Sequence, residues 1–156
     1  MEQFLNAVFH SGIGGPEIAL TINRMSVGLF FAIAGYHKLF YPDYHLSLVG
    51  ELKTLHIPLV RFNQWWVPSV EFSAGCALIV GLLSPLAAMG LVVICVVACC
   101  CDGPRRIRDM EGTGRIPKIE YLDDILYLPE VLYVIMLLVV ICGGPGPYSL
   151  DHVLMK

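Results

Sequence analysis

The sequence predicts an all-α fold, a bundle of four transmembrane helices, on the basis of three observations. Hydrophobic residues make up 56% of the 156 residues and charged residues only 15%, far from the average of soluble domains. The mean hydropathy is +0.70. Four apolar runs approach or reach the roughly 20 residues that cross a bilayer, and polar or Gly/Pro-rich stretches separate them. The length fits a single domain, 1–156.

The first predicted span runs from about Ala19 to Phe40 and carries Arg24 and Lys38. Pro42 ends it, because proline cannot continue a helix. The N terminus lacks the basic region and cleavage site of a secretory signal, so we expect this span to be retained. The two cations are fourteen positions apart, which is roughly 21 Å along a helix. One helix therefore places a charge near each membrane face.

The segment between spans 1 and 2 is too charged to cross a membrane. Leu48, Leu52 and Leu55 recur at helical spacing. A short helix at the membrane surface, interrupted at Pro58, is therefore predicted.

The remaining spans are predicted at about 65–83, 86–101 and 125–142. Two tryptophans, suited to the headgroup region, begin span 2. The Ser84-Pro85 break makes spans 2 and 3 a tight hairpin. A polar loop, 102–124, precedes span 4. Close helix contacts are expected where small residues let backbones approach, at Gly28, Gly35, Gly75 and Gly81.

Four spans place both termini on one face and the two long loops on the other. Most of the basic residues fall on the loop face. The positive-inside rule therefore predicts cytoplasmic long loops and outside termini. The basic cluster 105–108 has two interpretations, a site for anionic lipid headgroups or a partner protein, and an ordinary solvated loop.

Comparing depths along antiparallel spans predicts two polar layers. At the long-loop face, Glu71 lies about 9 Å and Glu130 about 8 Å into their spans, level with His37 and Lys38. A Lys38–Glu71 ion pair is predicted there. At the opposite face, Arg24 lies level with the chain end, so a second polar cluster of Arg24, Tyr148 and Asp151 is predicted, with an Arg24–Asp151 ion pair.

Three sequence patterns occur in order along the chain. Span 1 contains Arg24, Gly28 and the run G-Y-H-K-L at 35–39. Span 2 contains E-F-S-A-G at 71–75 followed by V-G-L-L at 80–83. The chain ends with G-P-G-P-Y-S-L-D at 144–151.

These patterns resemble the DoxX/DoxD-like family of small four-helix membrane proteins, over roughly residues 20 to 152. Pro147 stands where the family ending has arginine, which puts the role of that basic group in question. The resemblance implies an integral protein of a bacterial inner membrane. It also implies a link to membrane redox systems, which include the small subunit of a thiosulfate:quinone oxidoreductase and assemblies with soluble redox enzymes.

Each polar residue has a functional and a structural interpretation. Glu71 and Glu130 can exchange protons with a quinone, or Glu71 is neutralised by Lys38 and Glu130 is hydrated. His37 lacks convergent partners for a metal or haem, so an interfacial histidine is preferred. Cys99, Cys100 and Cys101 point about 100° apart on a helix, and no metal or haem site is predicted. Buried or acylated cysteines are preferred instead.

The function expected from these observations is an accessory or quinone-interacting subunit of a membrane redox assembly, not catalytic alone. The alternative is a non-catalytic structural subunit that packs against larger membrane proteins, and a small-molecule carrier is the third candidate. Membrane lipids and membrane or peripheral proteins, or a second copy of the chain, are the expected partners. A net charge of −3 gives no electrostatic basis for binding nucleic acid.

Overall fold

The computed structural model describes residues 15–111, 125–126 and 128–154, with the side chains of the fourth helix described as far as Ile107. All six elements in these ranges are α-helices, and the predicted all-α class is confirmed. They are α1 (Gly15–Phe40), α2 (Pro42–Thr54), α3 (Val60–Val80), α4 (Ser84–Glu111), α5 (Pro129–Gly143) and α6 (Leu150–Leu154).

The four long helices pack in a ring around a small apolar core. Helix α1 packs against α3 and α5, and α4 packs against the same two helices, while α2 lies against α1 and α3. Each long helix contributes fully buried side chains to the core, among them Val27, Leu78, Leu91 and Leu137. The short helix α2 occupies the predicted place between spans 1 and 2.

Small residues bring α1 and α3 together, as predicted for three of the four glycines. A Cβ built on Gly75 would lie 2.7 Å from Gly28 O and would also contact the backbone of Ala32. A Cβ on Gly35 would lie 2.7 Å from Pro68 O. Such separations are too short for any side chain, so the two backbones touch directly. Gly28 lies in the same contact.

The fourth predicted contact, at Gly81, is of a different kind. Gly81 ends α3 in the left-handed conformation, with φ of 79°, which glycine adopts without steric cost. A Cβ there would collide with the guanidinium of Arg24 and lie 2.7 Å from Ser149 Cβ. Gly81 therefore makes room for a buried arginine and the chain end and does not join two helices.

Helix α4 differs most from its predicted boundaries. It continues from the predicted span end at Cys101 to Glu111, so the first part of the predicted polar loop is helical. Asp102 and Arg106 form an ion pair one turn apart, and Ile107 is buried. These interactions stabilise the helix across Gly103 and Pro104, two residue types that usually interrupt helices. Residues 112–124 of the predicted loop lie outside the described residues.

The outer surface of the ring is apolar. Large side chains such as Ile22, Leu29, Val93, Leu132 and Ile135 are exposed. Two helices in the described part of the chain, α1 and residues 84–107, are long and apolar enough to cross a membrane, and α5 is apolar but shorter. Crossing of the bilayer by all four long helices stays a prediction.

Candidate functional site

A cavity of about 510 Å³ opens inside the ring at the end where α1 finishes and α3 begins. Helices α1 to α5 all contribute to its walls, which are mostly apolar. Its volume lies within the range typical of small-molecule sites. Among the residues that the structure describes, the charged side chains that line the cavity are Lys38, Glu51, Glu71, Asp102, Arg106 and Glu130.

Lys38 and Glu71 form the ion pair that the depth comparison predicted. The Lys38 ammonium donates to both carboxylate oxygens of Glu71, at 2.8 and 2.7 Å. Glu71 is only 5% exposed, whereas the Lys38 side chain is 29% exposed. Because a buried carboxylate requires a partner in an apolar bundle, this pair joins α1 to α3 at the cavity wall.

Arg106 forms a second charged group across the cavity, with Asp102 and Glu130. Its Nη1 donates to Glu130 Oε1 at 2.9 Å, and its Nε contacts Asp102. The second oxygen, Glu130 Oε2, is buried and has no hydrogen-bond partner among the described residues. The Gly/Pro-rich sequence around Arg106 predicts a loop, although the spacing of Asp102 and Arg106, four residues apart, also fits a helical ion pair.

Aromatic rings form one wall of the cavity, which the sequence patterns did not predict. Tyr133 stacks on Phe30 with ring centroids 4.1 Å apart, and Phe31 meets Tyr133 edge-on at 5.5 Å. All three residues and Trp66 line the cavity. Tyr133 follows Glu130 by three residues, so helical spacing alone places both on one face of α5.

His37 lies next to Lys38 in sequence but points elsewhere. Its ring stacks on Tyr44 at 5.1 Å and meets Tyr41 edge-on at 5.4 Å, and it does not line the cavity. Consecutive helical residues point about 100° apart, which explains the separation. Of the predicted cluster, the cavity therefore contains Lys38, Glu71 and Glu130, but not His37.

The cysteines of α4 have separate environments. Cys95 is buried and lines the cavity, and Cys101 is exposed at its edge. Cys100 is exposed as well. Across 15–111 and the described residues from 125 onwards, no group of three or more His, Cys, Asp or Glu residues could hold a metal ion.

At the opposite end of the ring, Arg24 is buried, with 1% of its surface exposed. Its guanidinium donates to Pro145 O and Tyr148 O, both at 2.8 Å. Tyr148 thus contributes a backbone carbonyl, while its side chain is exposed. Arg24 therefore anchors the Gly/Pro-rich chain end to α1.

The predicted Arg24–Asp151 ion pair is wrong, although both residues lie in this cluster. Asp151 instead accepts hydrogen bonds from Leu83 N at 2.8 Å and Ser84 N at 3.1 Å. These amides begin α4, where a carboxylate satisfies unpaired donors and the helix dipole. Carbonyls of the chain end accept from Nη1 and Nη2 of Arg24, whereas its Nε has no hydrogen-bond partner among the described residues. The Asp151 carboxylate stabilises the α3–α4 turn instead.

Comparisons with known proteins place the chain in a family. The uncharacterized membrane protein Rv3486 of Mycobacterium tuberculosis is 31% identical over 147 residues, which cover 91% of this chain and 84% of that protein. No solved structure matches the chain. The profile of the DoxX family matches residues 19–101, which hold Arg24, Lys38, Glu71 and most of α4. The chain is therefore a membrane protein of the DoxX family.

Proposed function

We propose that this protein is an accessory, quinone-interacting subunit of a membrane redox assembly. The observation that supports the proposal is the apolar cavity of about 510 Å³ with charged groups at its wall. A quinone has a flat aromatic head and an apolar tail. The cavity offers aromatic surfaces at Phe30, Tyr133 and Trp66 and polar groups at Lys38 and Glu130.

The carboxylates give this chain a role in proton exchange. Reducing a quinone to a quinol takes two electrons and two protons. Glu71 and Glu130 both line the cavity, and carboxylates within hydrogen-bond reach of a ligand can donate or accept its protons. In the proposed assembly the electrons come from a redox partner, and this chain binds the quinone and exchanges its protons.

A steric block of the cavity tests the proposal. Ala98 lines the cavity on α4, and Val96 on the same helix is exposed and does not. We expect the wild-type chain in lipid nanodiscs to bind decylubiquinone saturably in calorimetric titrations. Ala98→Phe should weaken this binding at least tenfold, because the added ring occupies the ligand's space, whereas Val96→Phe should not change it.

Two outcomes would contradict the proposal. One is the absence of saturable binding to the wild-type chain, alone and with its native partners. The other is equal binding by Ala98→Phe and the wild-type chain, with thermal unfolding showing both to be folded. Affinity purification from native membranes with mass spectrometry adds a separate check, since a partner list without any redox protein would argue against a redox assembly.

A structural subunit is the second candidate, and the network around Arg24 favours it. This buried guanidinium is held by the chain's own carbonyls, and the outer surface is apolar. Both features suit a protein that packs against larger membrane partners. If Glu71→Gln abolishes assembly of the complex and no quinone binds, the structural role is favoured.

A further inference from the structure

Contacts close three of the four seams at which neighbouring long helices of the ring pack together. Glycine contacts join the backbones of α1 and α3. At the level of the cavity, the stacked rings of Phe30 and Tyr133 join α1 to α5, and the Arg106–Glu130 ion pair joins α4 to α5. Between residues 60–80 of α3 and 84–102 of α4, no hydrogen bond or ion pair connects the described side chains. The α3–α4 seam is therefore the least constrained.

Helices α3 and α4 touch near their turn but not at the level of the cavity. A Cβ on Gly90 would meet Val70 Cγ1 at 4.0 Å, which is ordinary contact. The helices are antiparallel and have the same rise per residue, so positions three and seven residues further from the turn also lie level. These positions are Val67 and Asn63 on α3 and Val93 and Val97 on α4, and all four line the cavity. The cavity therefore occupies the α3–α4 seam at this level.

Val93 shows that the cavity reaches the outer surface of the ring. Leu91 and Cys95, two positions before and after it on α4, are buried at 0% and 3% exposure. Two helical positions correspond to a rotation of about 200°, so Val93 lies on the outward face, where it is 62% exposed. It nevertheless lines the cavity, as does the exposed Val97. The cavity is therefore open sideways between α3 and α4.

The depth of this opening fits the interior of a bilayer. Val93 lies nine residues after Ser84, where α4 begins, which is roughly 14 Å along the helix. For a helix that crosses a hydrocarbon core about 30 Å thick, this position is close to the middle. The side chains of Val67, Val93 and Val97 are apolar. An apolar chain can therefore pass from lipid into the cavity without entering water.

From this geometry we infer that the α3–α4 seam admits the ligand of the cavity from the bilayer and holds its apolar tail. The head group lies against the Lys38–Glu71 pair, and the tail passes outward between Val67 and Val93. The ligand is thus an amphiphile dissolved in the membrane, with a tail long enough to reach the lipid. The inference rests on the proposed quinone interaction for the head group, and adds the path of entry and the position of the tail.

A photoreactive quinone tests the position of the tail in the full chain in lipid nanodiscs. The probe is a decylubiquinone analogue that carries a diazirine at the end of its tail. We expect illumination to label residues 66–67 of α3 and 93–97 of α4, located by mass spectrometry of the peptides. Excess decylubiquinone should suppress this labelling, because both compounds compete for one site. Labelling of Phe30 and Tyr133, at the closed α1–α5 seam, should be much weaker.

A photoreactive phospholipid tests the opening itself without any quinone. The probe carries a diazirine in the middle of one acyl chain. Ile94 and Ala98 line the cavity and are half-buried, so an acyl chain reaches them through an open seam. We expect label on both residues in the wild-type chain, in addition to label on the outward-facing Val96.

A matched pair of variants shows whether entry occurs through the seam. Val96 and Val97 are neighbours on α4 and are 45% and 47% exposed, but of the two only Val97 lines the cavity. Val97→Trp should lower phospholipid labelling of Ile94 and Ala98 by roughly fivefold, because the indole fills space that the acyl chain needs. Val96→Trp should leave this labelling unchanged. Thermal unfolding of both variants checks that they are folded.

The outcomes separate the inference from the proposed function. Phospholipid label confined to outward-facing residues of the wild-type chain would overturn the inference, as would equal labelling of Ile94 and Ala98 in the two folded variants. Quinone label that is stronger on α1 and α5 than on α3 and α4 would also overturn it. If the phospholipid enters through the seam but decylubiquinone does not compete with the quinone probe, the opening to the bilayer stands and the quinone interaction fails.

Discussion

Lys38 and Glu71 show how one residue depends on another inside this bundle. Removing one partner of a buried ion pair costs roughly 3–5 kcal/mol. The Lys38 side chain is 29% exposed, so water can reach this part of the site and partly hydrate Glu71 when the lysine is removed. We expect Lys38→Ala to lower the free energy of unfolding by about 3 kcal/mol, measured by circular dichroism during denaturant titration of the detergent-solubilised protein.

Two further variants show whether the effect comes from the unpaired carboxylate. Lys53→Ala removes an exposed lysine of α2 and should change stability by less than about 0.5 kcal/mol. The double variant Lys38→Met/Glu71→Leu should recover most of the loss, because apolar replacement of a buried pair is often neutral. An unchanged stability of Lys38→Ala would mean that Glu71 is hydrated and needs no partner.

At the scale of helices, the contact between α1 and α3 depends on the absence of side chains. A Cβ at Gly75 would lie 2.7 Å from Gly28 O, and only movement of the helices could relieve this overlap. Overpacking of this kind costs about 1–3 kcal/mol. We therefore expect Gly75→Ala to lower the free energy of unfolding by that amount in the same denaturant titration.

Gly90 on α4 provides the control for this substitution. A Cβ there would meet Val70 Cγ1 only at 4.0 Å, which is ordinary contact. Gly90→Ala should be neutral, or stabilising by about 0.5–1 kcal/mol from helix propensity. If both alanines behave alike, helix propensity and not the close approach of α1 and α3 governs the response.

At the scale of the whole molecule, the ring has two chemically distinct ends. The cavity lies at one end beside α2, and the cluster of Arg24 and Asp151 lies at the other. From the positive-inside rule we propose that the cavity end faces the cytoplasm. In a cysteine-free background, His152→Cys should react with a membrane-impermeant maleimide in intact spheroplasts, and Lys53→Cys only after permeabilisation.

Both labelled positions lie on exposed residues at opposite ends of the ring. A reversed pattern of labelling would show the opposite orientation. Labelling of both positions in intact cells would contradict the four membrane crossings, because the ends of the ring would then share one compartment.

Periodicity and composition predicted much of this fold from local signals. The end of α1 at Phe40 follows from Pro42, and the all-α class follows from apolar runs of helical length. The Lys38–Glu71 pair was predictable as well, because the helical rise converts sequence position into depth. The extension of α4 beyond Cys101 was not predictable in this way. Gly103 and Pro104 indicated a loop, and the ion pair of Arg106 with Glu130, which favours the helix, joins residues far apart in sequence.

The sequence by itself determined the helices, their apolar surfaces and the depth of each charge, since these depend on residue spacing along one chain. Only the tertiary structure decided which way each side chain points around its helix axis. That rotation turns His37 away from the cavity and brings Arg106 to Glu130. It also gives Arg24 two backbone carbonyls and leaves Asp151 to cap the start of α4, because the packing of helices far apart in sequence decides which partner lies within hydrogen-bond distance of a buried polar group.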